Sequence, residues 1–248
     1  AMTEMGGHAQ FLTPSAGRFK TSKQAGETIE DAATVMARYA AGIGIRILED
    51  KVPYYGAGTE FLREYAHWAD VPILNMADDR FHPFQGLADL MGWAEWLGEG
   101  LGRPDYRALE GKKFVLTWAS GALARSWCSV QEALLIASRF GMHVTMARPD
   151  GYDLDPEVIE WTQRNCQENG TNFEVTNDRV ACMDGAHVVY ARNWMSPDAY
   201  QDGEFKKAEE IQKAMKITGW TLDAEKMAQL AEGDDQAGSG DESGDHRV

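Results

Sequence analysis

Short apolar runs alternate with longer amphipathic segments along most of this chain, and few folds accommodate that alternation. A run that is apolar throughout reads as a strand buried on both faces. Helices between such runs cover the two faces, which gives a parallel sheet. The spacing predicts a helix over Thr28 to Ala41, with Glu30 and Asp31 at its start and Val35, Met36 and Tyr39 at helical intervals. It predicts a strand over Gly42 to Leu48, a helix over Thr59 to Trp68 and a strand over Val71 to Asn75. A long helix follows over Pro83 to Leu97, with Leu87, Leu90, Met91, Ala94 and Leu97 on one side. His8 to Leu12 is a further short apolar run.

Residues 98–111, GEGLGRPDYRALEG, are rich in glycine and charge and mark a linker. A second series starts at once. Strands are expected at Lys113 to Thr117, His143 to Ala147, Phe173 to Thr176 and His187 to Ala191. Helices are expected at Val130 to Phe140, Pro156 to Asn169 and Phe205 to Met215, with a helical turn over 178–184 and a helix start over Asp223 to Leu230. The expected fold class is α/β: two doubly wound parallel-sheet domains, 1–97 and 112–230, with a cleft between them. Ligands of such sheets bind outside the carboxyl ends of the strands.

Composition narrows the function. Lys and Arg number 24 and Asp and Glu 39, so the net charge is −15, which argues against nucleic acid or an anionic membrane as main partner. The longest uncharged run near an apolar core, Phe114 to Ala124, has eleven residues, and a spanning helix needs about 20. No secretory leader is read at the start. Cys128, Cys166 and Cys182 are far apart and form no zinc spacing, so reduced thiols, a cytoplasmic setting and no metal are expected. Residues 231–248 hold six acids and one Arg with no large apolar residue before Val248, and read as a disordered acidic tail.

The loop Trp118 to Ser126 has a single glycine, and neither GxxxxGK[ST] nor GxGxxG follows a strand, so a nucleotide-dependent oxidoreductase lacks its glycines. The segment Phe81-His82-Pro83-Phe84-Gln85-Gly86-Leu87-Ala88-Asp89-Leu90 is the most informative. Pro83 suits the first turn of a helix, and His82 and Gln85, three apart, can point into one site as donors to a carbonyl or amide group. The alternative is a capping His and a surface Gln. Arg46, at the end of an apolar strand, faces the expected crevice and suits a phosphate or carboxylate, or else reaches out at the sheet edge. Arg192 occupies the analogous place in the second half, with the same alternative.

These residues resemble a known family. His82-Pro83-x-Gln85-x-Leu87-Ala88-Asp89 is similar to the HPxQxLaDl signature of the aspartate/ornithine carbamoyltransferases. Gly26 to Ala32, Arg38-Tyr39, Ile45-Arg46 and Gly111 to Trp118 resemble further blocks of that family. So do Arg139 to Thr145, Pro149-x-Gly151-Tyr152 and Gly185 to Trp194, and together the blocks cover nearly all of 1–230. The segments LTW at 116–118, RFGM at 139–142 and YARNW at 190–194 resemble the acetylornithine and succinylornithine branches. The six-residue gap between Asn75 and His82 is instead like the ordinary ornithine enzymes.

The resemblance implies transfer of a carbamoyl group from carbamoyl phosphate to an amino-acid amine, ornithine or an N-acylated ornithine, as in arginine biosynthesis, with no cofactor and in a homotrimer. Arg46 and His82 would donate to the carbonyl oxygen or phosphate, and Gln85 would bind the carbamoyl NH2. Arg192 would hold the acceptor carboxylate, with Ser126, Asn193 and Trp194 in the acceptor-binding segments. Lys20 or Lys23 would reach a neighbouring subunit's site, or is a solvated charge. The family's STRTR-type phosphate loop and HCLP-type loop do not occur, so the resemblance implies a member trimmed at both ends. Such a chain is expected to transfer little, since one lost oxyanion donor costs about 100- to 1000-fold. The other reading is a non-catalytic homologue that keeps the scaffold and binds anions or a subunit.

Overall fold

The computed structural model describes residues 2–12, 26–121, 123 and 125–222. Lys20, Lys23, the helix start at 223–230 and the acidic tail at 231–248 lie outside the described residues.

In the first half, α1 (Ile29–Ala37) opens on Thr28, whose hydroxyl oxygen accepts the Asp31 N–H at 3.1 Å, satisfying a donor that the helix itself leaves unpaired. The strands β1 (Ile43–Ile47) and β2 (Ile73–Asp78) pair in parallel, and α2 (Ala57–Trp68) connects them. Ala32, Ala33 and Tyr65 of the two helices pack with Ile29, Ile43, Ile45, Phe61 and Ile73 against one face of this pair. The other face leaves Leu74 and Met76 about half exposed. The pairing register slips between Ile45 and Arg46, so that Ile45 faces Asn75 and Arg46 faces Ala77. A bulge of this kind re-aims the side chain beside it.

The second half is built on four parallel strands in the order β5-β4-β3-β6: β3 (Lys113–Thr117), β4 (His143–Ala147), β5 (Phe173–Thr176) and β6 (Val188–Ala191). The helices α4 (Cys128–Arg139) and α5 (Pro156–Glu168) make the crossovers from β3 to β4 and from β4 to β5. Strand order reverses between β3 and β6, and a doubly wound sheet holds its ligand at that switch point. Phe114, Leu116, Trp118, Leu134, Met142, Met146 and Trp194 form the centre of the core.

The helix α3 (Pro83–Leu97) joins the halves. Gly86, Leu90 and Ala94, spaced by four, are its buried line, and Leu90 and Ala94 belong to the second half's core. Leu87 and Met91, expected on the same apolar face, are about half exposed. Gly86 is where α4 comes closest: a Cβ there would lie 2.5 Å from Glu132 Cγ.

Several expectations are corrected. His8 to Leu12 forms no strand, and Phe11 is exposed. The second strand starts two residues later than expected and runs on to Asp78. The helix expected from Phe205 is displaced by a hairpin, β7 (Tyr200–Gln201) with β8 (Glu204–Phe205), so that α6 starts at Lys207 and ends at Met215. Asp202 (φ 53°) and Gly203 (φ 73°) form its turn. Positive φ at both central residues gives the turn a twist matching the strands, which is why Asp-Gly is favoured there. The helix α1 ends at Ala37, four residues before its expected end, and the turn expected over 178–184 is confined to Ala181–Met183; the other elements lie within about two residues of their expected bounds.

Candidate active site

The segment after β2 is held by its own carboxylates. Asp78 Oδ1 accepts the N–H of Arg80 at 2.8 Å and of Phe81 at 2.5 Å, while Oδ2 accepts from Thr59 Oγ1 and Asn75 Nδ2, each at 2.9 Å. Asp79 is buried and accepts the N–H groups of Gly56 and Gly58. Burial, aided by neighbouring Asp78, pushes its carboxyl up to about 6. Arg80 then ties this segment to the second half: its guanidinium lies 2.6 Å from Asp155 and 2.7 Å from Glu157. The Gln131 amide donates to the Arg80 carbonyl at 2.7 Å, and Tyr55 donates to Asp155 at 2.7 Å. His82 is therefore fixed by contacts made on both sides of the cleft.

His82 is the N-cap of α3, and its Nδ1 accepts the Gln85 N–H at 3.2 Å. Its own N–H donates to Glu132 Oε2 at 3.2 Å. Burial first, then Arg46 and Arg192, hold the imidazole below its ordinary pKa, so it is neutral at pH 7. With Nδ1 used as an acceptor, the single ring proton of the neutral form sits on Nε2. Nε2 lies 3.5 Å from Arg46 Nη1. Two donors so placed make no bond to each other; together they line the same cavity with N–H groups. The sequence left a choice between a capping and a site-facing His82, and the one side chain does both, with a different nitrogen for each. Gln85 donates from Nε2 to Asp89 Oδ1 at 2.8 Å.

From the second half, Arg192 follows β6 at the switch point. Its N–H donates to Thr117 O at 3.1 Å, and its carbonyl accepts from Ala119 at 3.2 Å. Arg46, His82 and Gln85 meet Ser126 and Arg192 around one cavity of roughly 420 Å³, with Leu48, Glu49, Leu123, Arg125, Cys128, Ser129 and Lys207 completing its wall. That size suits a small metabolite. Four of these side chains are cationic and one is acidic, in a chain of net charge −15. The local charge inverts the global one and draws in anions. Burial pushes the Cys128 thiol up, which keeps it protonated and poorly nucleophilic. Among the described residues no three His, Cys, Asp or Glu side chains gather to hold a metal ion.

Two residues expected at the acceptor site are placed otherwise. Trp194 is 1% exposed, and its indole N–H donates to Tyr152 O at 3.0 Å. It is a core residue, because a large apolar ring gains more from burial among Trp118 and Met195 than from a wet cleft. Asn193 does not line the cavity; its side-chain amide donates to the Leu123 carbonyl and so tethers the loop that does. Sequence reasoning missed Glu49, Arg125, Cys128, Ser129 and Lys207. Arg125 adjoins Ser126 in the loop after β3, and Glu49 lies three residues beyond Arg46, so their places at strand ends were available signals. Lys207 was hidden by the unread hairpin.

The His82 protonation has a measurable consequence. The unfolded imidazole takes up its proton near 6.5, the folded one only at lower pH. The unfolded chain thus binds more protons in that interval, and stability is lost as pH falls from 6.5 toward the folded value. Asp79, raised to about 6, acts in the opposite direction over the same range. The difference between wild type and His82→Asn isolates the imidazole, because Asn keeps the N-cap acceptor. Thermal melts between pH 7.5 and 5 should show a weaker acid-induced fall in His82→Asn. Parallel curves would contradict a depressed His82.

Comparison with known proteins agrees with this geometry. The "Aspartate/ornithine carbamoyltransferase, carbamoyl-P binding domain" profile matches residues 1–95, and the "Asp/Orn binding domain" profile of the same family matches residues 111–234. The N-acetylornithine carbamoyltransferase of Xanthomonas campestris pv. campestris is 33% identical over 201 residues, 77% of this chain and 57% of that protein. The ornithine carbamoyltransferase of Pyrococcus abyssi is 31% identical over 213 residues, 86% of this chain and 57% of that protein. A crystal structure of acetylornithine transcarbamylase complexed with acetylcitrulline superimposes with a TM-score of 0.78 at 30% identity, covering 92% of this chain and 68% of that one. The chain thus spans 57% of the length of these curated relatives. Two matched domains, a shared fold and a cavity assembled from the matched segments lead to one conclusion: the chain belongs to the aspartate/ornithine carbamoyltransferase family.

Proposed function

We propose that the cavity binds carbamoyl phosphate and an amino-acid acceptor, and that the protein transfers the carbamoyl group to the acceptor's amine, ornithine or an N-acylated ornithine. In this reading residues 1–97 supply the carbamoyl-phosphate side and residues 112–230 the acceptor side. The observation that supports it is the meeting of Arg46, His82 and Gln85 with Arg192 and Ser126 around one cationic cavity. Carbamoyl phosphate is a small dianion with a carbonyl and an amide. Arg46 supplies charge-assisted donors for its phosphate, and the His82 Nε2–H donates to the carbonyl oxygen. That oxygen gains negative charge as the amine attacks, so a preplaced donor there lowers the barrier. The Gln85 side chain meets the carbamoyl NH2. The solved complex of an N-acetyl-L-ornithine transcarbamylase mutant with carbamyl phosphate and N-succinyl-L-norvaline supports a two-ligand cleft of this kind. The cytoplasmic setting, the homotrimer and a part in arginine biosynthesis belong to the same proposal.

Arg192 bears on the acceptor. Free ornithine carries an α-ammonium, which a guanidinium in a partly desolvated cleft repels. An N-acylated ornithine has lost that charge and keeps its carboxylate. The expected result is tighter binding of N-acetylornithine or N-succinylornithine than of ornithine or aspartate. Arg192→Asp is expected to shift the affinity ratio toward ornithine by about tenfold or more. A clear preference for free ornithine in the native protein would overturn the acceptor assignment.

A further inference from the structure

Glu49 is the one acid in the wall of the cavity. It begins a short helical turn, Glu49–Lys51, immediately beyond β1, three residues after Arg46. Its main chain is fixed across the cleft, because the Tyr200 hydroxyl donates to the Glu49 carbonyl at 2.9 Å. Its carboxylate is not similarly engaged. Oε2 is buried without a hydrogen-bond partner, and among the described residues the side chain forms no ion pair, although Arg46, Arg125, Arg192 and Lys207 line the same space. A buried acceptor left unpaired costs on the order of 1–3 kcal/mol, more when charged, and such a group in a native protein is completed by a water, an ion or a ligand, or serves a catalytic role.

An anion does not complete this one. A phosphate or carboxylate beside Glu49 would be repelled, so an acid in a cavity that otherwise favours anions needs its own ligand group, a cationic one. The proposed acceptor brings that group: an amine that is an ammonium in water. We propose that Glu49 receives the amine that is to be carbamoylated, holding it on the Arg46 side of the cleft while the acceptor's carboxylate turns toward Arg192. This inference rests on the carbamoyl-transfer reading above and adds a specificity residue to it. Glu49 selects acceptors that carry a side-chain amine and fixes which end of the acceptor faces the carbamoyl carbon. It accepts N–H hydrogen bonds from the ammonium, takes the one proton the nitrogen must shed before its lone pair can attack, and forms no covalent bond.

The test is calorimetric titration of the full chain, with inorganic phosphate in place of carbamoyl phosphate so that no transfer consumes the ligands, by two ligands that differ only in the amine: N-acetylornithine and N-acetylnorvaline. Each is measured on wild type and on Glu49→Gln, which keeps shape and one acceptor oxygen but removes the charge. The expected result is that Glu49→Gln weakens N-acetylornithine about 10- to 100-fold, the range of hydrogen bonds to charged groups, and leaves N-acetylnorvaline within about twofold. Carbamoyl phosphate alone should bind Glu49→Gln as well as or better than wild type, because a repulsive charge is gone. A merely structural role would weaken all three together, and that outcome, or equal affinities of both acceptors in wild type, overturns the proposal while leaving carbamoyl transfer standing. If wild type binds neither carbamoyl phosphate nor either acceptor, the reading of the cavity itself fails, and the Glu49 proposal with it.

Discussion

Replacing Arg46 by alanine is expected to weaken carbamoyl phosphate binding by about 100-fold, the upper range for charge-assisted hydrogen bonds to a single side chain. Stability should hardly change. Arg46 is exposed, sits at the end of a strand and forms no ion pair among the described residues; its guanidinium lies 3.5 Å from His82 Nε2. Removing the guanidinium also removes a nearby positive charge that helps hold the imidazole below its ordinary pKa, so the His82 pKa should rise in the variant. The check is a binding titration beside a urea unfolding curve. An unchanged Kd would remove Arg46 from the site, and a large loss of stability would make it a structural residue.

Trp194→Ala is expected to do the reverse. Trp194 is buried, donates to Tyr152 O, and accepts from the Trp118 indole at its own carbonyl, 3.0 Å in each case. The Trp118 and Tyr152 rings meet edge to face at 5.3 Å. Truncation opens a cavity beside these rings and leaves the Tyr152 carbonyl without its donor, so about 3–5 kcal/mol of stability should be lost. For a chain of this size that corresponds to a fall in Tm of roughly 10 °C or more. Trp194→Phe should recover much of the packing. Had Trp194 been a ligand-binding residue, as its place after Arg192 suggested, Trp194→Ala would alter acceptor affinity with little change in the melt.

The contrast between these two positions shows what the sequence could convey. Helix starts with proline or a capping residue, such as Pro83, Pro156 and Thr28, were legible because the local chemistry of the first turn is decided within four residues. The central strands of the second sheet, β3 and β4, were legible because they are buried on both faces. The first strand pair was harder: its outer face leaves Leu74 and Met76 exposed, so pattern and burial part company there. The α3 stripe was overread for a related reason. Five apolar residues shared a side, but α4 covers only the Gly86, Leu90, Ala94 line. The Asp202-Gly203 turn carried a strong local signal that the neighbouring helix pattern obscured.

The site was legible where a side chain ends a strand or starts a helix, as with Arg46, His82 and Arg192. It was illegible where position depends on the other half of the molecule. Nothing within the first half indicates that Tyr200, 151 residues away, fixes the Glu49 turn, or that Asn193 tethers Leu123. The two roles of His82 were likewise inseparable in sequence, since capping uses Nδ1 and the cavity meets Nε2.

The most direct test of the account is calorimetric titration of the chain with carbamoyl phosphate, repeated in Arg46→Ala and His82→Asn. The account predicts one molecule bound per chain, competed by inorganic phosphate and weakened at least tenfold in each variant while both keep the wild-type melting transition near pH 7.5. A titration without binding, or one indifferent to both substitutions, would contradict it.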